Sequence, residues 1–244
     1  MNTLEDNLAV INHNIAVACE SCGRNVDDVC LVAVSKTKPA SAIRDAYALG
    51  LRHFAENYLQ EAQRKIETCA DLDAVWHFIG EIQSNKTQQI AQLFDWVHTV
   101  YRPKIAQRLN DQCPPGKQLQ LLIQVNIDQD PAKSGAMAET LPALIAHIEA
   151  LPNLKLRGLM TILAQNNKDP RASFESMAQL LNEHQLSHQT GQKLPLWNSL
   201  SMGMTGDMQA AIAAGSTHVR IGTALFGARD RTVERSKENS KSKS

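Results

Sequence analysis

Runs of apolar residues alternate with amphipathic stretches along nearly the whole chain. Cys30–Val34 and Leu119–Ile127 are apolar runs of the kind found in strands that are buried on both faces. In Leu4–Cys22 the apolar residues instead recur every three to four positions, which predicts an amphipathic helix. The repeated alternation of these two patterns indicates parallel strands joined by right-handed helical crossovers.

The pattern contains eight strand–helix units behind one leading helix. The predicted strands are 30–34, 52–55, 76–80, 95–100, 119–127, 154–160, 196–202 and 217–221, and the main helices between them are 39–49, 59–68, 103–110, 138–150, 172–184 and 205–214. Eight units in 244 residues predict an α/β fold, a closed (β/α)8 TIM barrel with an extra N-terminal helix. A doubly wound open sheet fits the same periodicity, because periodicity does not show closure. Residues 1–230 form the predicted domain, and 231–244, rich in Lys, Ser, Glu and Arg, a predicted disordered tail.

Composition narrows the class of protein. Lys plus Arg equals Asp plus Glu at 25 each, so no net field recruits nucleic acid or an anionic membrane. The chain has neither a signal-peptide pattern nor an apolar run of the length that spans a bilayer, roughly 18 residues. Its five cysteines are odd in number and scattered, which favours a reducing, cytoplasmic location. No metal-binding histidine spacing occurs, and His53, His77 and His218 sit beside apolar strand positions where core or rim roles are commoner.

Lys36 follows the first apolar strand directly. Side chains alternate along a strand, so Lys36 is expected to point the same way as Val32 and Val34. Partial desolvation disfavours the charged form of an amine, and an uncharged amine attacks carbonyl carbons to form a Schiff base. A solvated lysine at a strand end is the alternative interpretation of this stretch.

Polar clusters follow the other predicted strands, at the edge where parallel α/β folds bind ligands. The clusters are Ser35-Lys36, Glu56-Asn57-Tyr58, Gln83-Ser84-Asn85-Lys86, Asn126, 201–205 and Gly222-Thr223. The last two predict a phosphate cradle of backbone amides and hydroxyls, with Thr205 able to cap the following helix. Ordinary capping and turn chemistry explains the same residues equally well. Asp207 should point away from any phosphate bound there.

Arg220 lies inside the predicted eighth strand, between Val219 and Ile221. An arginine buried there without a partner costs several kcal/mol, so it needs one. A structural ion pair and a ligand acceptor at the barrel mouth are both open.

Several motifs taken together resemble a known family over residues 4–230. They are Val34-Ser35-Lys36-Thr37-Lys38-Pro39, Glu56-Asn57-Tyr58, Trp76-His77-Phe78-Ile79-Gly80, Gln83-Ser84-Asn85-Lys86, Gly158-Leu159-Met160, Leu200-Ser201-Met202-Gly203-Met204, and Val219-Arg220-Ile221-Gly222-Thr223. In this order they resemble the YggS/PROSC family of pyridoxal 5'-phosphate (PLP) homeostasis proteins. The resemblance implies a barrel of the alanine racemase N-terminal-domain type with PLP as its cofactor.

The resemblance also assigns roles to residues of this chain. It implies Lys36 as the Schiff-base lysine, Asn57 as a ligand of PLP, and Arg220 facing the pyridine nitrogen. It further implies phosphate contacts from Gly222, Thr223 and the Ser201–Thr205 loop, where the choice between the hydroxyls of Ser201 and Thr205 stays open. The chain departs from the usual family pattern at Ala55, Glu81-Ile82 and Thr205.

Three functions fit these residues. The first is a non-catalytic protein that holds PLP reversibly, serves intracellular PLP homeostasis and passes the cofactor to apo-enzymes. The second is a PLP-dependent amino-acid racemase, and the third a Schiff-base aldolase acting on a sugar phosphate. A permanently protonated arginine beside the pyridine nitrogen makes PLP a weaker electron sink, which disfavours most carbanion chemistry, although racemases of this barrel tolerate that arginine. The resemblance places the second catalytic base of the racemases, a tyrosine, in an additional β-domain that is not recognisable here. The first function is therefore favoured, in a protein expected to be a monomer.

Overall fold

The computed structural model describes residues 2–186 and 191–228, which fold into a closed barrel of eight parallel strands. The strands are β1 (Cys30–Val34), β2 (His53–Glu56), β3 (Val75–Phe78), β4 (Trp96–Val100), β5 (Leu119–Gln124), β6 (Leu154–Met160), β7 (Ser199–Ser201) and β8 (His218–Ile221). The helices are α1 (Leu4–Ser21), α2 (Ala40–Ala48), α3 (Leu59–Thr68), α4 (Thr87–Leu93), α5 (Pro103–Asp111), α6 (Leu141–Glu149), α7 (Pro170–Glu183), α8 (Met208–Ala213) and α9 (Thr223–Phe226).

The pairing of β1 with β8 closes the barrel and decides between the two predicted architectures. The two strands run parallel with Val32 opposite Arg220. Each strand therefore has neighbours on both sides, and the open sheet is excluded. The predicted TIM barrel is confirmed.

Alternation along the strands divides the side chains between two layers. Val32 and Val34 of β1 pack with Ala55 and Ile79 inside the barrel. Leu31 belongs instead to the large cluster between the barrel and its helices. Two buried faces on each strand explain why the strands read as continuous apolar runs in the sequence.

Helix α1 is the predicted extra helix, and it lies against α8 and α9. Thr3 and Asp6 form a reciprocal capping box at its start. Its buried face carries Leu8, Ile11 and Ile15, at the spacing that the sequence pattern predicts.

Several predicted boundaries differ from the structure by one to three residues, among them those of β7, β5 and α8. Strand β7 is three residues long, and the chain before it is held against α7, where the buried Trp197 indole donates a hydrogen bond to the Leu181 carbonyl. Strand β5 ends at Gln124, since Val125 bridges to Ala136 of the following loop. Helix α8 begins at Met208 rather than near Thr205.

Helix α9 is absent from the sequence prediction because four residues are too few to show a helical period. The predicted tail 231–244 lies outside the described residues. Within the described residues, no helix combines the length and apolar composition that crossing a membrane requires.

Candidate functional site

Lys36 lies in the turn that follows β1, with its side chain half-buried. Val34 and Lys36 line the same cavity at the carboxyl end of the barrel, as the alternation of side chains predicts. Thr37 has a φ of 66°, an unusual conformation for a residue with a Cβ atom. The turn that presents the Lys36 amine therefore needs support from its surroundings.

That support comes from a buried ion cluster behind the turn. The Lys65 ammonium donates hydrogen bonds to the Ser35 carbonyl (2.6 Å), to Glu56 (2.7 Å) and to Glu61 (2.6 Å). The Ser35 hydroxyl also donates to Glu56, at 2.6 Å, and Glu61 accepts from the Thr37 amide, at 2.5 Å. The cluster thus fixes the backbone on both sides of Lys36.

Burial dominates the electrostatics of Glu56. The residue has no exposed surface, and burial raises the pKa of its carboxyl above the usual value in spite of the attraction of Lys65. The sequence prediction missed Lys65, which is 5% exposed. A signal was available, since Lys65 lies three residues after Ala62 on the buried face of α3.

Replacing Lys65 by methionine should destabilise the fold, because Glu56 would keep its buried site without a cation. Breaking a buried pair in this way costs about 3 kcal/mol or more. Urea unfolding monitored by circular dichroism measures the loss. Lys104→Met, at an exposed position of α5, is the matched control and should change the free energy of unfolding by less than about 0.5 kcal/mol. Adding Glu56→Gln to the Lys65 variant should recover part of the loss, and no recovery would contradict this account of the cluster.

Asn57 reaches the same cavity from the end of β2. Its side-chain oxygen Oδ1 is buried and has no hydrogen-bond partner among the described residues. Gly80 packs so closely on the Asn57 backbone that an added Cβ would lie 1.9 Å from the Asn57 carbonyl oxygen. Gly80 therefore allows the Asn57 loop to pack against the chain after β3, and the Asn57 Oδ1 remains as a polar acceptor at the cavity.

The loops after β7 and β8 form the opposite wall. Gly203, with a φ of 94°, turns the chain so that its carbonyl accepts the Arg220 amide at 3.0 Å. Asp207, rather than Thr205, occupies the N-cap position of α8, so the predicted capping role of Thr205 is wrong. The Asp207 carboxylate accepts the Met204 amide at 2.5 Å and does not line this cavity. Thr205 itself remains exposed on the cavity wall.

Arg220 is 4% exposed and points into the barrel. It donates from Nη1 to the Ser201 hydroxyl (2.7 Å) and from Nη2 to the Thr161 carbonyl (2.8 Å). Burial lowers the pKa of Arg220 to about 10, which leaves it a cation at neutral pH. No ion pair in the described part of the chain includes Arg220, so the structural ion pair considered from the sequence is excluded there.

One cavity of about 290 Å³ collects most of the predicted site. Its lining includes six of the seven predicted residues, namely Lys36, Asn57, Thr205, Arg220, Gly222 and Thr223. The seventh, Ser201, is fully buried behind Arg220. The sequence prediction missed the apolar lining of Ile79, Ile162 and Met204, because isolated apolar residues after strands carry no distinctive pattern.

Other predicted rim residues serve other purposes. The Asn126 side chain holds its own loop, through hydrogen bonds with the backbone of Asp130 and Lys133. Gln83 and Lys86 line a separate neighbouring cavity, which shares Asn57 with the first. A larger cavity of about 480 Å³ outside the barrel mouth is lined by two carboxylates and two cations, namely Asp169, Asp207, Lys168 and Arg171, and it contains none of the predicted site residues except Thr205.

Comparison with known proteins agrees with this geometry. The family described as alanine racemase, N-terminal domain, matches residues 7–230. The pyridoxal phosphate homeostasis protein of Pseudomonas aeruginosa is 50% identical over 233 residues, which cover 94% of this chain and 97% of that protein.

Two solved structures of PipY from Synechococcus elongatus are also similar. The structure without PLP is 36% identical with a TM-score of 0.81 and covers 92% of this chain and 100% of that chain. The structure with PLP bound is 38% identical with a TM-score of 0.76 and covers 87% and 100%. The sequence motifs, the closed barrel and these relatives agree, and the chain belongs to the family of pyridoxal phosphate homeostasis proteins built on the alanine racemase N-terminal domain.

Proposed function

We propose that this protein binds PLP in the cavity at the carboxyl end of the barrel and acts in PLP homeostasis without catalytic turnover. The observation that carries the proposal is the meeting of an amine, Lys36, and a buried cation, Arg220, across one small cavity. The cavity volume of about 290 Å³ lies at the small end of the range typical of ligand sites.

The residues present fit the chemical groups of PLP. Lys36 would supply the amine that attaches the aldehyde as a Schiff base, and Arg220 would face the pyridine nitrogen. The Thr205 and Thr223 hydroxyls, with the backbone amides at Gly222 and Thr223, would bind the phosphate. The free Oδ1 of Asn57 needs a hydrogen-bond donor, and a bound ligand with its water can supply one. The buried Ser201 hydroxyl contributes through Arg220.

When bound, PLP supplies an aldehyde that condenses reversibly with primary amines. The half-buried position of Lys36 leaves its amine accessible to incoming amines, so attachment is open to exchange. Arg220 cannot act as a base, because a protonated guanidinium only donates hydrogen bonds. A cation at that place disfavours protonation of the ring and weakens the electron sink that most carbanion chemistry on PLP requires.

The relatives support a binding role. The Pseudomonas aeruginosa protein is named for PLP homeostasis, and PipY has been solved with PLP bound. The three tyrosines of the chain lie among the described residues, and the cavity lining includes none of them. A tyrosine base of the racemase kind therefore has no candidate in this cavity. We further propose that the protein is monomeric and cytoplasmic and that apo PLP enzymes receive its cofactor. The five free thiols suit a reducing compartment.

A transfer assay tests the proposed role. The PLP-loaded protein is mixed with an apo-aminotransferase, and recovery of aminotransferase activity is compared with that given by an equal concentration of free PLP. Faster recovery, lost in the Lys36→Ala variant, is expected. A parallel incubation with single enantiomers of amino acids should leave their optical rotation unchanged, and steady racemisation would instead show the protein to be an enzyme.

A further inference from the structure

Three histidine side chains form a continuous hydrogen-bonded chain inside the barrel. The ring nitrogens of His53 and His77 lie 2.9 Å apart, and those of His77 and His98 lie 2.8 Å apart. His98 Nδ1 is 2.9 Å from the Ser201 hydroxyl, which accepts the hydrogen bond from Arg220 at 2.7 Å. The chain therefore runs from the half-buried start of β2 to the cation at the ligand cavity.

The geometry fixes the direction of every bond in this chain. Ser201 Oγ accepts from Arg220, and its buried hydrogen has no acceptor among the described residues other than His98 Nδ1. Ser201 must therefore donate to His98 Nδ1. His98 is then protonated on Nε2 and donates to His77 Nδ1, and His77 in turn donates from Nε2 to His53 Nδ1.

This arrangement requires neutral rings, and the barrel interior provides them. His77 and His98 have no exposed surface, and burial together with the neighbouring histidines holds the pKa of each well below its usual value. The rings bond to one another instead of converging on a point, and no group of His, Cys, Asp or Glu side chains in the described ranges has the arrangement that could hold a metal ion.

We infer that His98 and His77 are positioning residues of the PLP site, which orient the Ser201 hydroxyl and thereby hold Arg220 toward the pyridine nitrogen. The Ser201 hydroxyl and the Thr161 carbonyl are uncharged, so they accept hydrogen bonds from Arg220 without neutralising its charge. A carboxylate in the place of Ser201 would neutralise that charge. The full positive charge of Arg220 thus stays directed at the cavity. The inference rests on the proposed function, since it concerns the same site.

The first test needs no PLP. Nitrogen-15 NMR of the ligand-free protein, labelled at histidine, is expected to show His98 as the neutral Nε2–H tautomer. Ser201→Ala should reduce the fraction of that tautomer, because Nδ1 loses its donor. A wild-type His98 that is protonated on Nδ1, or a tautomer unaffected by Ser201→Ala, would overturn the inference whether or not the protein binds PLP.

The second test compares two amides at residue 98. Asparagine can place an acceptor near the position of Nδ1, facing Ser201, whereas glutamine reaches only the position of Nε2, facing His77. His98→Gln and Ser201→Ala should weaken PLP affinity by about tenfold, and His98→Asn by no more than about twofold. Thermal unfolding of the apo-variants identifies any that fail to fold. Equal losses of affinity in two folded amide variants would show a role in packing alone and overturn the inference.

Discussion

Lys36→Ala is expected to abolish the visible absorption of the protein saturated with PLP and to weaken binding by about a hundredfold, equivalent to about 2.7 kcal/mol. Lys36 supplies the amine for the covalent bond, whereas Arg220, Gly222 and Thr223 contribute only non-covalent contacts across the cavity. The variant should stay folded, because Lys65 and Glu61 hold this turn through the Ser35 carbonyl and the Thr37 amide. The side chain of Lys36 takes no part in these hydrogen bonds. Spectrophotometric titration with PLP measures both changes.

Lys38 is the competing amine in this experiment, since it lines the same cavity. Its Nζ atom donates a hydrogen bond to the Ala228 carbonyl at 2.8 Å, which makes the amine less available to attack the PLP aldehyde. Borohydride reduction followed by peptide mass spectrometry should place the adduct on Lys36 in the wild type. Lys104→Ala, on the exposed side of α5, should leave the spectrum and the affinity unchanged. A coloured Lys36→Ala protein, or an adduct on Lys38, would refute the assignment.

The strands could be predicted because burial on both faces leaves a strong local signal. Cys30–Val34 is recovered at both ends, since an apolar run stops at Ser35 and a turn begins. Barrel closure has no such signal, because it depends on the pairing of β1 with β8, some 190 residues apart. The short β7 also escaped prediction, since its boundary is set by the contact of Trp197 with α7.

The rim of the site could be predicted because its polar residues follow strands. The buried residues behind the rim, namely Lys65 and the hydrogen-bonded histidines, could not be predicted. Lys36, Arg220 and Gly222 stand out against apolar surroundings in the sequence. Lys65 has the spacing of the buried face of α3, but its partners Ser35 and Glu56 are identified only when α3 packs against β2. The histidines were interpreted separately as core or rim residues, and only the pairing of strands brings His77 and His98 into one chain.

Two buried arrangements link the stability of the fold to the site. The ion cluster around Lys65 clamps the turn of Lys36 from outside the barrel, and the histidine chain holds Arg220 from inside it. Both arrangements bury titratable groups, which are costly to keep away from water. The protein therefore has a pH-sensitive core next to Lys36 and Arg220, the two side chains that line the cavity.

Acidification is expected to destabilise the protein steeply between pH 7 and pH 5, with buried histidines as the main cause. Burial lowers the pKa of His218 to about 3, against about 6.5 in an unfolded chain. The unfolded state then binds the extra proton as the pH falls through the unfolded pKa, so stability is present above that value and lost below it. His218 alone accounts for a loss of about 2 kcal/mol over this interval. His77 and His98, whose pKa values burial also lowers, add losses of the same sign.

Urea unfolding at pH 7 and at pH 5 measures this loss, and His218→Leu isolates one histidine. His218 packs against the Trp96 ring, with centroids 5.1 Å apart, so leucine keeps an apolar contact there. The variant should lose about 2 kcal/mol less than the wild type between the two pH values, because it has no ring to protonate when it unfolds. His13→Asn, at an exposed position of α1, should follow the wild type. An equal pH dependence in the wild type and in His218→Leu would contradict a neutral, buried His218 and would assign the acid sensitivity to other groups.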